Sequence, residues 1–293
     1  MDGGEDAFRV SEGIAAGISV GRLRGSAYAR PHWGVRTKTG PATALESALA
    51  FTPRLPDRAF LFGLTAAVIW GMPLPRRGSD GSIHVGVRTG DRRVDAAGIR
   101  AHHVAIRDSD VTTRAGTRVT TVERTWCDLA ASGLALPELV AAGDFAIWRK
   151  HPLTSRSALA SAVTRYPGRR GLRMLRLAIA LLSERSDSAP ESELRVAMIQ
   201  AGLPHPAVNA RITDARGRFL AQPDMSWPDH MLAVEYEGDH HRTDRDQWHK
   251  DLERFANLQE HRWIVIRASA ADYRDPGHLI SRLGRILSQR EST

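Results

Sequence analysis

Two acidic residues stand near the ends of neighbouring strand-like stretches in the last third of the sequence. Asp224 lies in the predicted strand 218–226, and Glu235 lies in the next predicted strand, 231–237. They are eleven positions apart, so a turn between the strands can bring both carboxylates onto one hairpin. Hard divalent cations prefer such clustered oxygens. We therefore predict a Mg²⁺ or Mn²⁺ site formed by Asp224, Glu235 and the backbone carbonyl of Tyr236.

The chemistry that this site would support is hydrolysis of a phosphodiester bond. A divalent cation held by two carboxylates supplies a nucleophilic hydroxide and offsets the negative charge of the transition state. Strand alternation places Glu235 and Glu237 on one face and Tyr236 on the other. Two glutamates on one face of an interior strand need a charged partner, a metal or water. Glu237 is therefore a further candidate catalytic residue.

Glu191 is a third candidate acid, on the helix that precedes these strands. It shares a helical stripe with Leu194, Arg195 and Met198, which predicts that it faces the sheet. Ser188 lies three positions before it, and this spacing is equally typical of a capping box, in which the glutamate accepts backbone N–H groups. Both interpretations of Glu191, a role at the metal site and a helix cap, remain open at this point.

Three residues that follow the second strand could support the reaction. His241 can position a water or act as general base, since its pKa is ordinarily near neutral. The alternative for His241 is a plain turn residue. Asp251 lies on an apolar helix face with Arg254 three positions on, which predicts a buried ion pair that braces the site.

These residues require a C-terminal module with the element order αβββαβα. The pattern of apolar residues predicts helices and strands in this order: helix 190–201, strands 208–213, 218–226 and 231–237, helix 244–260, strand 263–267 and helix 276–290. A Ser-, Asp- and Pro-rich loop at 183–190 separates this module from the rest of the chain.

The first forty residues read as helix, turn, helix and wing. Ser11 and Ser19 are predicted N-caps, and Gly17 suits a left-handed helix end. The arginines that would share this small surface, and could contact DNA, are Arg22, Arg24, Arg30 and Arg36. A complete winged helix has a preceding helix, so the motif looks truncated. A packing subdomain with solvated arginines is the alternative.

We predict an α/β multidomain chain with three segments. They are the truncated winged helix-turn-helix at 1–40, a mixed α/β middle domain at 41–183 and the restriction-endonuclease-like module at 184–293. The middle domain alternates helix-like and strand-like stretches, namely 59–70, 82–87, 98–104, 122–131, 137–150 and 171–182.

Composition favours a folded protein with a polyanionic partner. The 293 residues include 41 Lys and Arg against 33 Asp and Glu, for a formal net charge of +8. Nucleic acid is the leading partner for this surplus, and GC-rich coding is the alternative, because arginine carries nearly all of the charge. No stretch is predicted to span a membrane, and we expect a cytoplasmic protein. Cys127 is predicted to lie in a buried helix.

The C-terminal motifs carry a resemblance. Glu191 in APESELR, QPDMSWP, AVEYEGDHHRTD, QWHKDLERFANL and RWIVIRAS together resemble the domain-of-unknown-function 559 family, relatives of very-short-patch-repair endonucleases in the PD-(D/E)XK superfamily. The resemblance covers about the last hundred residues. It implies a restriction-endonuclease-like core, a divalent metal and a nucleic-acid substrate. Asp224 is then the motif aspartate and Glu235 the following acid, with other motif positions at Gly238, His241, Asp251 and Arg254.

One position departs from the general superfamily. Glu237 stands where the last motif letter is usually lysine, the cation that stabilises the attacking hydroxide. An acid here is usual for this branch, so His241, Arg242 or Lys250 would have to supply the missing function.

The N-terminal two-thirds is similar to abortive-infection (AbiEi-like) type IV antitoxins and transcriptional regulators. The motifs that carry the similarity are GRLRGSAYARPHWGVRT, GLTAAVIWGMPLP and VTTVERTWCDLA. This similarity implies DNA binding by the helix-turn-helix segment and a nucleotidyltransferase toxin as partner.

The sequence therefore supports two hypotheses. The first is an endonuclease that cleaves nucleic acid, with DNA as the expected substrate, using Mg²⁺ or Mn²⁺. The second is a regulator or antitoxin-like DNA-binding protein that keeps the nuclease fold as a scaffold. A homodimer is left open as the oligomeric state.

The DNA-binding prediction for the first segment can be tested without metal. We expect Arg22→Ala combined with Arg24→Ala to abolish a metal-independent gel shift of promoter DNA, because both side chains would contact phosphates. Asp224→Ala should leave the shift unchanged. An unchanged shift with the double arginine variant would contradict this prediction.

Overall fold

The structure, a computed structural model, describes residues 7–75, 81–237 and 257–291. The helices within these ranges are α1 (Val10–Ala15), α2 (Val20–Arg24), α3 (Ala44–Ala50), α4 (Gly63–Trp70), α5 (Val122–Leu129), α6 (Leu136–Ala146), α7 (Arg156–Arg165), α8 (Leu172–Leu181), α9 (Ala189–Gln200), α10 (Ala270–Arg274) and α11 (Gly277–Glu291). The strands are β1 (Phe8–Arg9), β2 (Val35–Arg36), β3 (Phe60–Leu61), β4 (Ile83–Arg88), β5 (Ile99–Val104), β6 (Val111–Arg114), β7 (Thr117–Thr120), β8 (Ala207–Val208), β9 (Ile212–Thr213), β10 (Phe219–Ala221), β11 (Met225–Trp227), β12 (Leu232–Glu237) and β13 (Ile264–Ser269).

The chain is an α/β protein with two compact units, which confirms the predicted fold class. Unit 1 comprises Met1–Leu134 with Thr154–Ile179, and unit 2 comprises Ala135–Leu153 with Ala180–Thr293. This division differs from the three predicted segments. The N-terminal segment belongs to unit 1, and α6 belongs to unit 2 although the predicted boundary lies after residue 183. Among the described residues, no helix is long and apolar enough to cross a membrane.

Unit 1 begins with the predicted helix-turn-helix elements in shortened form. Ser19 caps α2 by accepting the N–H of Arg22, at 3.3 Å, as predicted. Ser11 is not a cap, because α1 begins one residue earlier and its N-cap is Arg9. The extended stretch after the helices forms β2, which pairs antiparallel with β1.

The main sheet of unit 1 has five strands in the order β5-β4-β3-β7-β6. β4 runs parallel to β5 and antiparallel to β3, and β6 and β7 form an antiparallel hairpin. Ile83, Val85 and Val87 point from β4 into a core that also receives apolar side chains of α3 and α4. His84 alternates with them and therefore lies on the opposite face of the sheet.

In unit 2, helix α6 packs against α9 through a buried ion pair. The Asp144 carboxylate accepts hydrogen bonds from Arg195 at 2.6 Å, from the Ser192 hydroxyl at 2.7 Å and from the Ser183 N–H at 2.6 Å. The Asp144 and Arg195 side chains are 2% and 5% exposed. Removing one partner from such a pair would leave a buried charge without compensation. This network fixes the helix that carries Glu191.

The principal sheet of unit 2 has the strand order β13-β12-β11-β8. β11 is antiparallel to both β8 and β12, whereas β12 and β13 are parallel. One face packs on α9 and α11, through a core whose members include Leu194, Met225, Val234, Ile266 and Leu283. The other face carries a smaller apolar cluster around Ile212, Ala221 and Leu258, with Val265 at its border.

Two predicted strands of this module are broken. The predicted strand 218–226 divides into β10, which pairs with β9, and β11, which joins the four-stranded sheet. Pro223 lies at the break and has no N–H to donate to a ladder. The predicted strand 208–213 divides at Asn209, whose φ of 43° is left-handed. The predicted helices at 190–201 and 276–290 are present as α9 and α11, and α10 was not predicted.

Candidate metal-binding carboxylates

The Asp224 carboxylate is fixed beside strand β12. Its Oδ2 accepts the backbone N–H of Tyr236 at 2.7 Å. In the β11–β12 ladder Met225 pairs with Val234, so one further step of the same register places Asp224 opposite Glu235. The two predicted metal ligands are therefore neighbours on adjacent antiparallel chain segments. Asp224 itself lies in the turn before β11, not within a strand.

Glu235 lies on the face of β12 that points away from the larger core. Val234 and Tyr236 alternate with it, and both contribute to that core. Glu235 is half-buried, and its parallel-strand neighbour on β13 is Arg267. A carboxylate at this position is thus adjacent to both an acid, Asp224, and a cation.

Glu237 pairs with an arginine that the sequence did not point to. Its Oε1 lies 3.1 Å from the Nε of Arg267, and the two side chains are about half exposed. Strand alternation places Arg267 on the same face of β13 as Val265, but it does not show which strand lies next to β13. Its proximity to the acids depends on the parallel pairing of β12 with β13, which a single sequence does not reveal.

The donor set is compatible with a hard divalent cation. Asp224 and Glu235 supply carboxylate oxygens from adjacent segments, and oxygen ligands are those that Mg²⁺ and Mn²⁺ select. Within residues 7–75, 81–237 and 257–291, no three His, Cys, Asp or Glu side chains converge on one such position. Side chains of the described part thus offer two candidate ligands, Asp224 and Glu235, and the Tyr236 carbonyl remains the predicted third.

Glu191 acts at the start of helix α9 and is buried. Ser188 caps the helix by accepting the Glu191 N–H at 3.3 Å, as the capping interpretation predicts. The Glu191 carboxylate accepts the N–H of Asp187 at 3.0 Å, one residue before the cap, and an N–H of the Asn209 side chain at 3.3 Å. These bonds give Glu191 a structural role in holding the chain around α9.

Asn209 is a positioning residue that the sequence analysis missed. Its side-chain amide donates to the Arg185 carbonyl at 2.8 Å as well as to Glu191, and its backbone N–H donates to the Asp224 carbonyl at 3.0 Å. It thereby connects the start of α9 to the turn that carries Asp224. Asparagine tolerates the left-handed backbone that this position adopts. An isolated Asn before a strand gives no stronger sequence signal than an ordinary turn.

Several predicted residues lie outside the described ranges. They are Gly238, His241, Arg242, Lys250, Asp251 and Arg254. The predicted general base, the substitutes for the superfamily lysine and the bracing ion pair therefore remain predictions.

The predicted DNA-binding arginines divide into two kinds. Arg22 and Arg24 are exposed on α2, and Arg30 is exposed and donates to the Arg24 carbonyl. Arg36 is only 9% exposed, and its guanidinium donates to the carbonyls of Leu23, at 2.6 Å, and Val35, at 2.8 Å. Burial, together with the nearby Arg30, lowers the pKa of Arg36. The prediction that Arg36 contacts DNA is therefore wrong, because this side chain ties β2 to α2.

Cys127 lies in helix α5 and is buried, as predicted. Burial, reinforced by the nearby Asp128, raises the pKa of its thiol to about 12. A thiol with this pKa is protonated near neutral pH and is a poor nucleophile.

The link from Asn209 to Asp224 predicts a specific loss of stability. We expect Asn209→Asp to lower the free energy of unfolding by about 1–3 kcal/mol, because a donor to Glu191 is replaced by a second carboxylate in a buried position. Asparagine and aspartate have the same shape and both tolerate the left-handed backbone, so strain should not contribute. Urea unfolding at pH 7 measures the change, and unchanged stability would show that the Glu191–Asn209 bond is unimportant.

Comparison with known proteins gives a partial match. Two uncharacterized proteins, each from a strain of Mycobacterium tuberculosis, are 35% identical to this chain over 136 residues. The match covers 46% of this chain and 50% of each relative, so the chain spans about half the length of the curated relatives it matches. No family model matches the chain, and no solved structure matches it.

Proposed function

We propose that this chain is a metal-dependent endonuclease that hydrolyses phosphodiester bonds in nucleic acid, with DNA as the substrate. The observation that carries this proposal is the placement of Asp224 opposite Glu235, with the Asp224 carboxylate held by the Tyr236 N–H. Mg²⁺ or Mn²⁺ bound there would supply a hydroxide nucleophile and offset the charge of the transition state. Asp224 and Glu235 would hold the ion.

The topology of unit 2 supports the proposal. Helix α9 precedes the antiparallel strands β8, β11 and β12. Residues 257–260 are helical, and strand β13, which is parallel to β12, follows them. The described part of unit 2 follows the predicted αβββαβα order except for the extra short strands β9 and β10 and the short helix α10, and residues 244–256 of the predicted helix 244–260 lie outside that part. Glu235 and Glu237 lie near the C-terminal end of β12, and Asp224 lies beside that end. Their side chains are therefore predicted to share one face of the sheet.

Arg267 is the residue that we assign as the cation of the candidate site, where the superfamily has a lysine, but its role is toward the scissile phosphate. It faces the same side of the sheet as Glu235 and Glu237, and it contacts Glu237. A guanidinium stays protonated, so Arg267 cannot act as a base. It can bind the non-bridging oxygens of the scissile phosphate and reduce the negative charge around them.

The N-terminal segment of unit 1 would contribute binding to nucleic acid. Arg22, Arg24 and Arg30 are exposed on a small surface formed by α2 and the residues that follow it. Such arginines bind phosphates without reading base sequence. This role requires nucleic acid in the same compartment, and the proposal therefore places the protein in the cytoplasm.

A second candidate function is a DNA-binding regulator or antitoxin-like protein in which unit 2 is a scaffold. The ion pair between Glu237 and Arg267 favours it, because this pair engages both the acid and the cation on the candidate catalytic face. A nucleotidyltransferase toxin would then be the partner. Cleavage assays separate the two functions.

The central test is loss of cleavage in single carboxylate variants. We expect Asp224→Asn and Glu235→Gln each to reduce Mn²⁺-dependent cleavage of plasmid DNA by about 100-fold or more, because each removes a charged metal ligand. Asp229→Asn is the matched control, since Asp229 is an exposed acid in the turn of the same hairpin. No cleavage by purified wild-type protein with either metal, on DNA or RNA, would favour the regulator.

The role of Arg267 is tested by two substitutions. We expect Arg267→Gln to reduce the cleavage rate by about 100-fold while leaving the Mn²⁺ concentration for half-maximal cleavage unchanged. Arg267→Lys should recover part of the rate, because lysine keeps the charge without the planar fork. Equal rates for all three proteins would contradict the assignment, and a large shift in the Mn²⁺ requirement would indicate a structural role instead.

A further inference from the structure

Unit 1 contains a cleft that the proposed endonuclease site does not use. Its volume is about 840 Å³, within the range of pockets that hold small molecules. Strands β4 and β5 form one wall, and helix α5 together with the segment 166–170 forms the other. The cleft is rich in cations, with Arg100, Arg169 and Arg170 in its lining besides the buried Arg124.

The inner end of the cleft is a fixed ion pair. Arg124 donates through Nε to both oxygens of Asp128, at 3.0 Å, and through another nitrogen to the Ala105 carbonyl at 3.0 Å. The Tyr166 hydroxyl donates to Asp128 at 3.0 Å. Arg124 and Asp128 therefore offset each other, and the exposed Arg169 and Arg170 add positive charge outside this pair.

The strand wall presents a pair of stacked imidazoles. His84 Nδ1 and His102 Nε2 are 3.1 Å apart, and the rings lie 5.1 Å apart at 14°. One of these two nitrogens must accept the hydrogen bond that the other donates. Only one of the two can therefore carry a proton while the contact is formed. Partial burial, with Arg100 and Arg93 nearby, lowers the pKa of His102. The pair therefore offers hydrogen-bonding groups to the cleft.

The opposite wall is a short arginine loop anchored at both ends. Tyr166 holds its start through Asp128, and its ring lies so close to Gly168 that an added Cβ would be 2.5 Å away. At the other end Gly171 has a φ of 82°, and a Cβ there would lie 2.6 Å from the Ala130 carbonyl. Gly171 is thus needed for the path of this loop, and a side chain at position 168 would displace the Tyr166 ring.

Arg169 and Arg170 lie between these anchors and are exposed. Within the described part of the chain, neither guanidinium has a carboxylate partner. Two consecutive arginines on one loop concentrate positive charge, which a bound anion would offset. Arginine pairs of this kind match the several oxygens of a phosphate group, to which guanidinium donates two parallel hydrogen bonds.

We infer that this cleft binds a phosphate-bearing ligand of nucleotide size, with Arg169 and Arg170 on the phosphate and Arg100 and the His84–His102 pair on the remainder. The ligand needs more than one negative charge to match the arginines, which favours a phosphate monoester or diphosphate over a carboxylate. A free nucleotide and the phosphorylated end of a nucleic-acid strand share this chemistry.

Isothermal titration of the full chain in EDTA tests the inference with three probes: pyrophosphate, ADP and a 5′-phosphorylated tetranucleotide. We expect saturable one-to-one binding of at least one probe, weakened at least about 10-fold by Arg169→Ala combined with Arg170→Ala. Arg282→Ala combined with Arg285→Ala is the matched control, because it removes the same charge from exposed positions on α11. The tighter of ADP and the tetranucleotide identifies the source of the phosphate.

The inference is overturned if none of the probes binds at millimolar concentration, or if both double variants weaken binding equally. Circular dichroism of each variant establishes that it is folded before titration. Because the titration excludes metal ions and uses residues of unit 1, its outcome is independent of whether Asp224 and Glu235 support cleavage.

Discussion

The hydrogen bond from the Tyr236 N–H to the Asp224 carboxylate is the contact on which the candidate site depends. It holds Asp224, which lies in a turn, against strand β12, at the residue next to Glu235. The turn exists because Pro223 cannot continue the ladder that β10 began. The same break that divides the predicted strand therefore places Asp224 where its side chain can reach β12.

Two carboxylates held this close repel each other, and the structure around them has to offset that cost. The backbone N–H of Asn209 donates to the Asp224 carbonyl and so holds the Asp224 turn. The Asn209 side chain donates to the Glu191 carboxylate and the Arg185 carbonyl. On the exposed side, Arg267 supplies positive charge from the parallel strand. A divalent cation between Asp224 and Glu235 would offset the repulsion directly, and this is the physical reason for proposing a metal site there.

Local patterns in the sequence were enough to find some of these features. Strand alternation placed Glu235 and Glu237 on one face, and the spacing from Ser188 to Glu191 identified a helix cap. Asp224 is predicted as a metal ligand from its place near the end of the strand-like stretch 218–226, and the structure places it in the turn before β11 instead. Ser19 and the extended stretch that became β2 were also identified, because caps and glycine turns are determined by neighbouring residues.

The remaining features depend on contacts between residues that are distant in sequence. Arg267 meets Glu237 only because β13 lies parallel to β12, and Asp144 meets Arg195 only because α6 packs against α9. Arg36 has the sequence pattern of a surface arginine, but its side chain is buried where it donates to the Leu23 carbonyl of α2. The joining of α6 to unit 2 has the same origin, since a helix in the middle of the chain carries no local mark of the unit that will bury it.

The most direct measurement of the central claim is anomalous diffraction from crystals of the wild-type chain soaked in Mn²⁺. The account predicts an anomalous peak with carboxylate oxygens of Asp224 and Glu235 at about 2.0–2.6 Å from the ion, and with the Tyr236 carbonyl among its ligands. A map in which Mn²⁺ does not bind between these carboxylates, while Glu237 remains paired with Arg267, would contradict the metal-dependent mechanism and leave unit 2 as a scaffold.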